Sequence, residues 1–117
     1  MDGITIDSQY TAGVTIKIAV ADTVIDTDVA AYLAAIQPST GDWSGYSATS
    51  ILVYVVTNPI YYAFGADPVT DGSVGNPLSV DDSILIKGWQ NIKNLRFIRQ
   101  GSNTGAIMLT PFFNDVG

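Results

Sequence analysis

The chain contains no cysteine and no histidine. The first absence excludes disulfides, thiolate metal sites and cysteine nucleophiles. The second removes the commonest general base and the commonest transition-metal ligand. Glutamate is missing as well: all eleven acidic residues are aspartates. Aspartate suits turns and loop ends, whereas glutamate suits helix surfaces, so this choice predicts strands joined by turns. No basic, apolar, small-residue leader opens the sequence, and no apolar run approaches the roughly 18 residues of a membrane span. Neither secretion by that route nor membrane insertion is expected.

Cations are scarce and unevenly placed. Residues 1–86 carry ten Asp against Lys17, a net −9, whereas residues 87–117 carry Lys87, Lys93, Arg96 and Arg99 against Asp115, a net +3, giving −6 in all. Phosphate backbones repel such a chain. Four cations interleaved with Leu95, Phe97 and Ile98 do not form a nucleic-acid stripe, so no nucleic-acid partner is expected.

What remains is a chain of 117 residues, 47% of them hydrophobic. That is enough for one domain spanning residues 1–117, with a core that needs no staples. Ile4 and Ile6 alternate with polar neighbours, as do Val14, Ile16 and Ile18; each set predicts a half-buried strand. Val29, Tyr32, Leu33 and Ile36 share one face of a short helix over 28–36, with Asp26 or Thr27 to cap it and Pro38 to stop it. Gln37 to Ser47, with Pro38, Gly41 and Gly45 around Trp43 and Tyr46, reads as a loop.

From Ile51 to Val56 the sequence is apolar on both strand faces. That requires a strand covered on both sides by its own chain, or a second face covered by another subunit. Further strands are expected at 60–64, 78–80, 84–86, 95–98 and 106–112, separated by turns that include Gly65 to Pro77, Asp81-Asp82, Gly88 to Asn94 and Gly101 to Gly105. Many short strands with frequent turns predict an all-β fold with one short helix: an antiparallel β-sandwich or a jelly-roll-like barrel.

Catalytic chemistry would have to come from aspartate, serine, threonine, lysine or tyrosine. Glycoside hydrolysis needs two converging carboxylates. Asp81 and Asp82 are adjacent and read instead as turn residues. Asp67-Pro-Val-Thr-Asp71-Gly72 offers oxygen ligands for calcium but lacks the spacing and the terminal bidentate carboxylate of a calcium-binding loop. Gly41-Asp-Trp-Ser-Gly45 has no following lysine and is no phosphate cradle. No cofactor, metal or catalytic residue is therefore expected. The aromatic residues Trp43, Tyr46, Trp89, Tyr54, Tyr61 and Tyr62, with Arg96 and Arg99 from the cationic stretch, are the candidate interface residues, weighed against simple burial in the protein's own core.

The segments Asn58-Pro-Ile-Tyr-Tyr-Ala-Phe-Gly65, Gly75-Asn-Pro-Leu-Ser-Val-Asp-Asp-Ser-Ile-Leu-Ile86 and Asn91-Ile-Lys-Asn-Leu-Arg-Phe-Ile-Arg-Gln-Gly-Ser102, followed by a strand over 106–112, resemble small phage-encoded virion β-sandwich proteins of the capsid-decoration, cement or tail-associated type. The likeness covers residues 49–113 and lies in turn and strand residues. It implies a virion structural protein on the capsid or tail exterior, contacting the major capsid protein lattice as a symmetric homo-oligomer, with a homotrimer favoured. The alternative expectation is a carbohydrate- or receptor-binding module of a phage tail or fibre, working through Trp43, Tyr46 and Trp89.

Overall fold

The computed structural model describes residues 10–114, so the strand expected around Ile4 and Ile6 lies outside the described residues. Eight strands and two helices follow in the order β1 (Tyr10–Ala12), β2 (Ile16–Val20), α1 (Ala30–Ile36), β3 (Ser50–Thr57), β4 (Ile60–Phe64), β5 (Asn76–Leu78), β6 (Ser83–Lys87), α2 (Trp89–Asn94), β7 (Leu95–Arg99) and β8 (Gly105–Asn114). The all-β, sandwich-like architecture expected from the alternating pattern is what forms.

All pairings are antiparallel and fall into two sheets. In the larger, β8 is central, with β3 and then β6 on one side and β1 and β2 end to end on the other. The smaller has the order β5-β4-β7. The chain passes repeatedly from one sheet to the other. Two residues, Asn58 and Pro59, carry it from β3 into β4; Asn58 adopts φ 47° there, and its side-chain amide donates to the Thr104 carbonyl at 2.9 Å. After β2 the backbone crosses to the smaller sheet, where Ile25 bridges Phe97.

Alternation sorts each strand. Ile51, Val53 and Val55 of β3 pair with Pro111, Leu109 and Ile107 of β8, and all six face inward and are buried. From the smaller sheet Ile60, Leu95 and Phe97 complete the core, and the helices add Tyr32, Ile36 and Ile92. The Tyr32 hydroxyl donates to the Ile92 carbonyl at 2.6 Å, and the ring meets Phe97 edge-on at 6.2 Å. The buried tyrosine thus finds the partner its polar tip requires.

Several local expectations need correction. The helix begins at Ala30, with Val29 at the cap and no side-chain cap bond; Asp26 instead accepts the Asp28 amide, and its carbonyl receives Val29 N–H. Ala35 is buried in place of Leu33, which is exposed. Val14 is exposed because one extra residue between β1 and β2 shifts the register against β8, from Ala12↔Phe112 to Ile16↔Leu109. Residues 89–94, expected as part of a turn, form α2 with only Ile92 buried. The strand expected at 78–80 ends at Leu78, and β1 was not anticipated.

Candidate functional site

The outer faces of the two sheets differ. On the smaller sheet Tyr61, Ala63 and Ile98 point away from the main core, yet Ala63 and Ile98 are buried. The loop after β4 roofs them. Gly72 lies over Tyr61 so closely that a Cβ there would fall 2.6 Å from the Tyr61 hydroxyl oxygen, and Gly101 N–H donates to the Thr70 carbonyl. Arg96 closes the roof through an ion pair with Asp67 at 2.6 Å.

The larger sheet has no such roof among the described residues. Three rows of side chains cross its outer face at right angles to the strands. Lys87, Ser50, Phe112 and Ala12 form the first row; Leu85, Leu52 and Thr110 the second; and Ser83, Tyr54, Met108 and Lys17 the third. Thr15 extends the middle row, its hydroxyl 2.7 Å from that of Thr110. Leu85 is 51% exposed and Tyr54 37%, with Leu52, Val56 and Met108 half-buried beside them. An antiparallel sheet facing water normally alternates apolar with polar residues, so this apolar stripe is a departure from the usual pattern. At its upper end the Tyr54 hydroxyl donates to the Asp81 carboxylate at 2.5 Å, which raises the Tyr54 pKa above its ordinary value. The hydrogen bond is the leading cause. The ring is thereby held over the strand.

A second feature is an open groove of about 600 Å³ between α1 and the β1–β2 edge. Trp43 lines it, stacked on Phe113 with centroids 5.1 Å apart and planes 10° apart. Tyr46 meets Trp43 edge-on at 5.4 Å and is 43% exposed. Ser39, Thr40 and Asp42 supply polar groups on the loop side, and Ala31 and Ala34 form the opposite wall.

The eight candidate interface residues are not brought together. Tyr54 is on the bare face, and Trp43 and Tyr46 are beside the groove. Tyr61 lies under the loop roof, while Tyr62 packs against the core and meets Phe64 edge-on. Trp89 opens α2 and packs half-buried against the core. Arg96 is engaged by Asp67, and the Arg99 Nε donates to the Gly101 carbonyl at 3.2 Å. Phe112 and Phe113 are both buried and add nothing to exposed surface.

Carboxylates are equally dispersed. Asp81 accepts from Tyr54, and Asp82 accepts the Ser79 amide at 2.8 Å in the turn before β6. In the loop weighed for calcium, Asp67 turns to Arg96 while Asp71 accepts the Ser73 amide, which lowers the Asp71 pKa. Among the described residues no three side chains of metal-ligating type cluster, and every buried side-chain polar atom has a partner. No helix among them is long and apolar enough to cross a membrane. Comparison with protein families, curated proteins and solved structures yields no match to this chain.

Leu52, Leu85 and Met108 were not singled out from the sequence. The signal was present in Ser83-Ile-Leu-Ile-Lys87, which is apolar on both faces like β3.

Proposed function

We propose that this is a non-catalytic structural protein of a phage virion exterior, which works through protein–protein contacts and decorates or cements a capsid lattice. The observation that carries the contact role is the apolar stripe of Leu85, Leu52, Tyr54 and Met108 on the larger sheet, which no loop or helix among the described residues covers. A stripe of this kind costs solubility unless something covers it, and contact surfaces are where aromatic and Met side chains concentrate. The resemblance of residues 49–113 to small virion β-sandwich proteins supplies the setting. An assembly role of this kind needs shape and buried area but no reactive group. The test is co-sedimentation of the purified chain with phage capsids lacking it. Pelleting that saturates at a fixed copy number per capsid supports the reading, and a chain left wholly in the supernatant sinks it.

One observation favours a second reading. Trp43, backed by Phe113, lines a groove that also presents Ser39, Thr40 and Asp42, the combination of aromatic plane and hydrogen-bonding groups on which a sugar ring can lie. This would make the protein a glycan-binding module of a tail or fibre. Binding on a glycan array that disappears in Asp42→Ala would favour it; silence across the array would remove it.

A further inference from the structure

The bare face carries its own complement. Its middle row, Leu85, Leu52 and Thr110, runs at right angles to the strands between the row that holds Lys87 and the row that holds Ser83 and Lys17, and the two flanks differ in charge at the β6 edge. Along the β6 edge one flank ends in Lys87 and the other in Ser83, with the Asp81 carboxylate just beyond it, held by Tyr54. A twofold axis laid along the middle row turns the face onto itself. Leu85 then meets Leu85 and Leu52 meets Leu52. The Lys87 end of each copy lies over the Asp81 end of the other, and Ser50 lies over Tyr54. The alternative axis, parallel to the strands, places Leu85 over Thr15 and leaves the most exposed apolar side chain of the sheet against a hydroxyl.

We infer that the occupant of this face is a second copy of the chain, packed sheet to sheet about that twofold axis. The inference rests on the contact role proposed above and deepens it by naming the partner. An isologous face closes on itself as a pair, so this surface builds a dimer and not the trimer that the resemblance implies. Facing sheets stack about 10 Å apart with strands aligned to within about 30°, which the twofold satisfies because it runs the strands of the two copies antiparallel. Four strands about 4.8 Å apart and five residues of about 3.4 Å each give a projected footprint of about 300 Å². That is small beside a standard interface of about 800 Å² per partner, so the pair is weak and concentration-dependent.

The experiment is sedimentation velocity on the full chain up to roughly 1 mM, where even a contact with a millimolar dissociation constant is populated. The wild type is expected to shift from monomer to dimer with concentration. Leu85→Lys should abolish the shift with an unchanged circular dichroism spectrum, because that side chain is already half in water, while Val74→Lys, on the loop of the other sheet, should leave it intact. Lys87→Glu should weaken the dimer at least tenfold and Lys17→Glu far less. Since the chain has no cysteine, Leu85→Cys should cross-link to a covalent dimer on mild oxidation and Val74→Cys should not. A wild type that stays monomeric, a trimer, a dimer that survives Leu85→Lys, or one sensitive to Lys17→Glu and not to Lys87→Glu would each overturn the inference. A dimer that ignores capsids leaves it standing and removes the virion role; a monomer that pellets with capsids does the reverse.

Discussion

The Tyr32 hydroxyl donates to the Ile92 carbonyl across 2.6 Å, joining the two helices through a single hydrogen bond inside the core. Burial raises the Tyr32 pKa above the ordinary tyrosine value, because the phenolate would lose its hydration. A raised acid pKa in the folded state means that the stability it contributes is complete below the unfolded value of about 10. That stability is lost as pH climbs from there toward the folded value. Unfolding by urea is therefore expected to become progressively easier as pH rises above about 10. Tyr32→Phe should flatten most of the alkaline slope while costing about 1 kcal/mol at neutral pH from the lost bond.

Gly105 opens β8 against the corner between β3 and β4. A Cβ there would sit 2.8 Å from the Thr57 carbonyl oxygen and 2.9 Å from that of Asn58, both backbone atoms that cannot swing aside. Gly105→Ala is expected to cost about 1–3 kcal/mol by overpacking. Gly41, at φ +82° with nothing near its missing Cβ, provides the comparison: Gly41→Ala should cost about 1 kcal/mol from backbone conformation alone. Equal midpoints for the two variants in a denaturant titration would contradict the crowding described at Gly105.

Trp43 anchors the long loop after α1 by stacking on Phe113, with Tyr46 against its edge. Half-burial of such a ring removes on the order of 100 Å² from water, so Trp43→Ala is expected to destabilise by about 2.5 kcal/mol. Tyr46→Ala, on the exposed side of the cluster, should cost less than half as much. Near-ultraviolet circular dichroism offers a direct check, since the stacked pair should contribute a band that Trp43→Ala removes and Tyr46→Ala only reduces.

The Arg96–Asp67 pair is partly exposed, with side chains 30% and 63% accessible. Its contribution to global stability is expected to stay below about 1 kcal/mol and to shrink with added salt. The local effect should be larger. Asp67→Asn is expected to speed proteolytic cutting within residues 66–75 while barely moving the melting temperature, because the pair fastens the loop roof and not the core.

Much of the architecture was legible because a period of two is a short-range signal. The strands over 50–57, 60–64, 83–87, 95–99 and 105–114 announce themselves through Ile, Val, Leu and Phe, which fill both faces in β3 and β6. Where one residue is inserted, that signal misleads: the extra residue between β1 and β2 moves Val14 out of phase and into solvent. The second helix is not legible in the sequence because one buried residue, Ile92, cannot reveal a helical period, and Gly88, Asn91 and Asn94 look like a turn. The contact surface was half legible. The two-sided apolar character of β3 is visible in Ile51 to Val56, but whether a loop covers the second face depends on chain remote in sequence. Tyr61 and Tyr54 look alike on paper; Gly72 roofs one, and the other stands beside Leu52 and Leu85.

Placing β8 at the centre of the larger sheet, although it follows every other described strand, has a consequence for biosynthesis. β3 and β6 can pair as soon as both have left the ribosome, but their inner residues and the β1–β2 edge have nothing to join them until residues 105–114 arrive. Until then an apolar ribbon with two greasy faces and an open hydrogen-bonding margin is at risk of pairing with its neighbours on the same polysome. Expression temperature and holdase chaperones should therefore govern the yield of this protein more strongly than its final stability does.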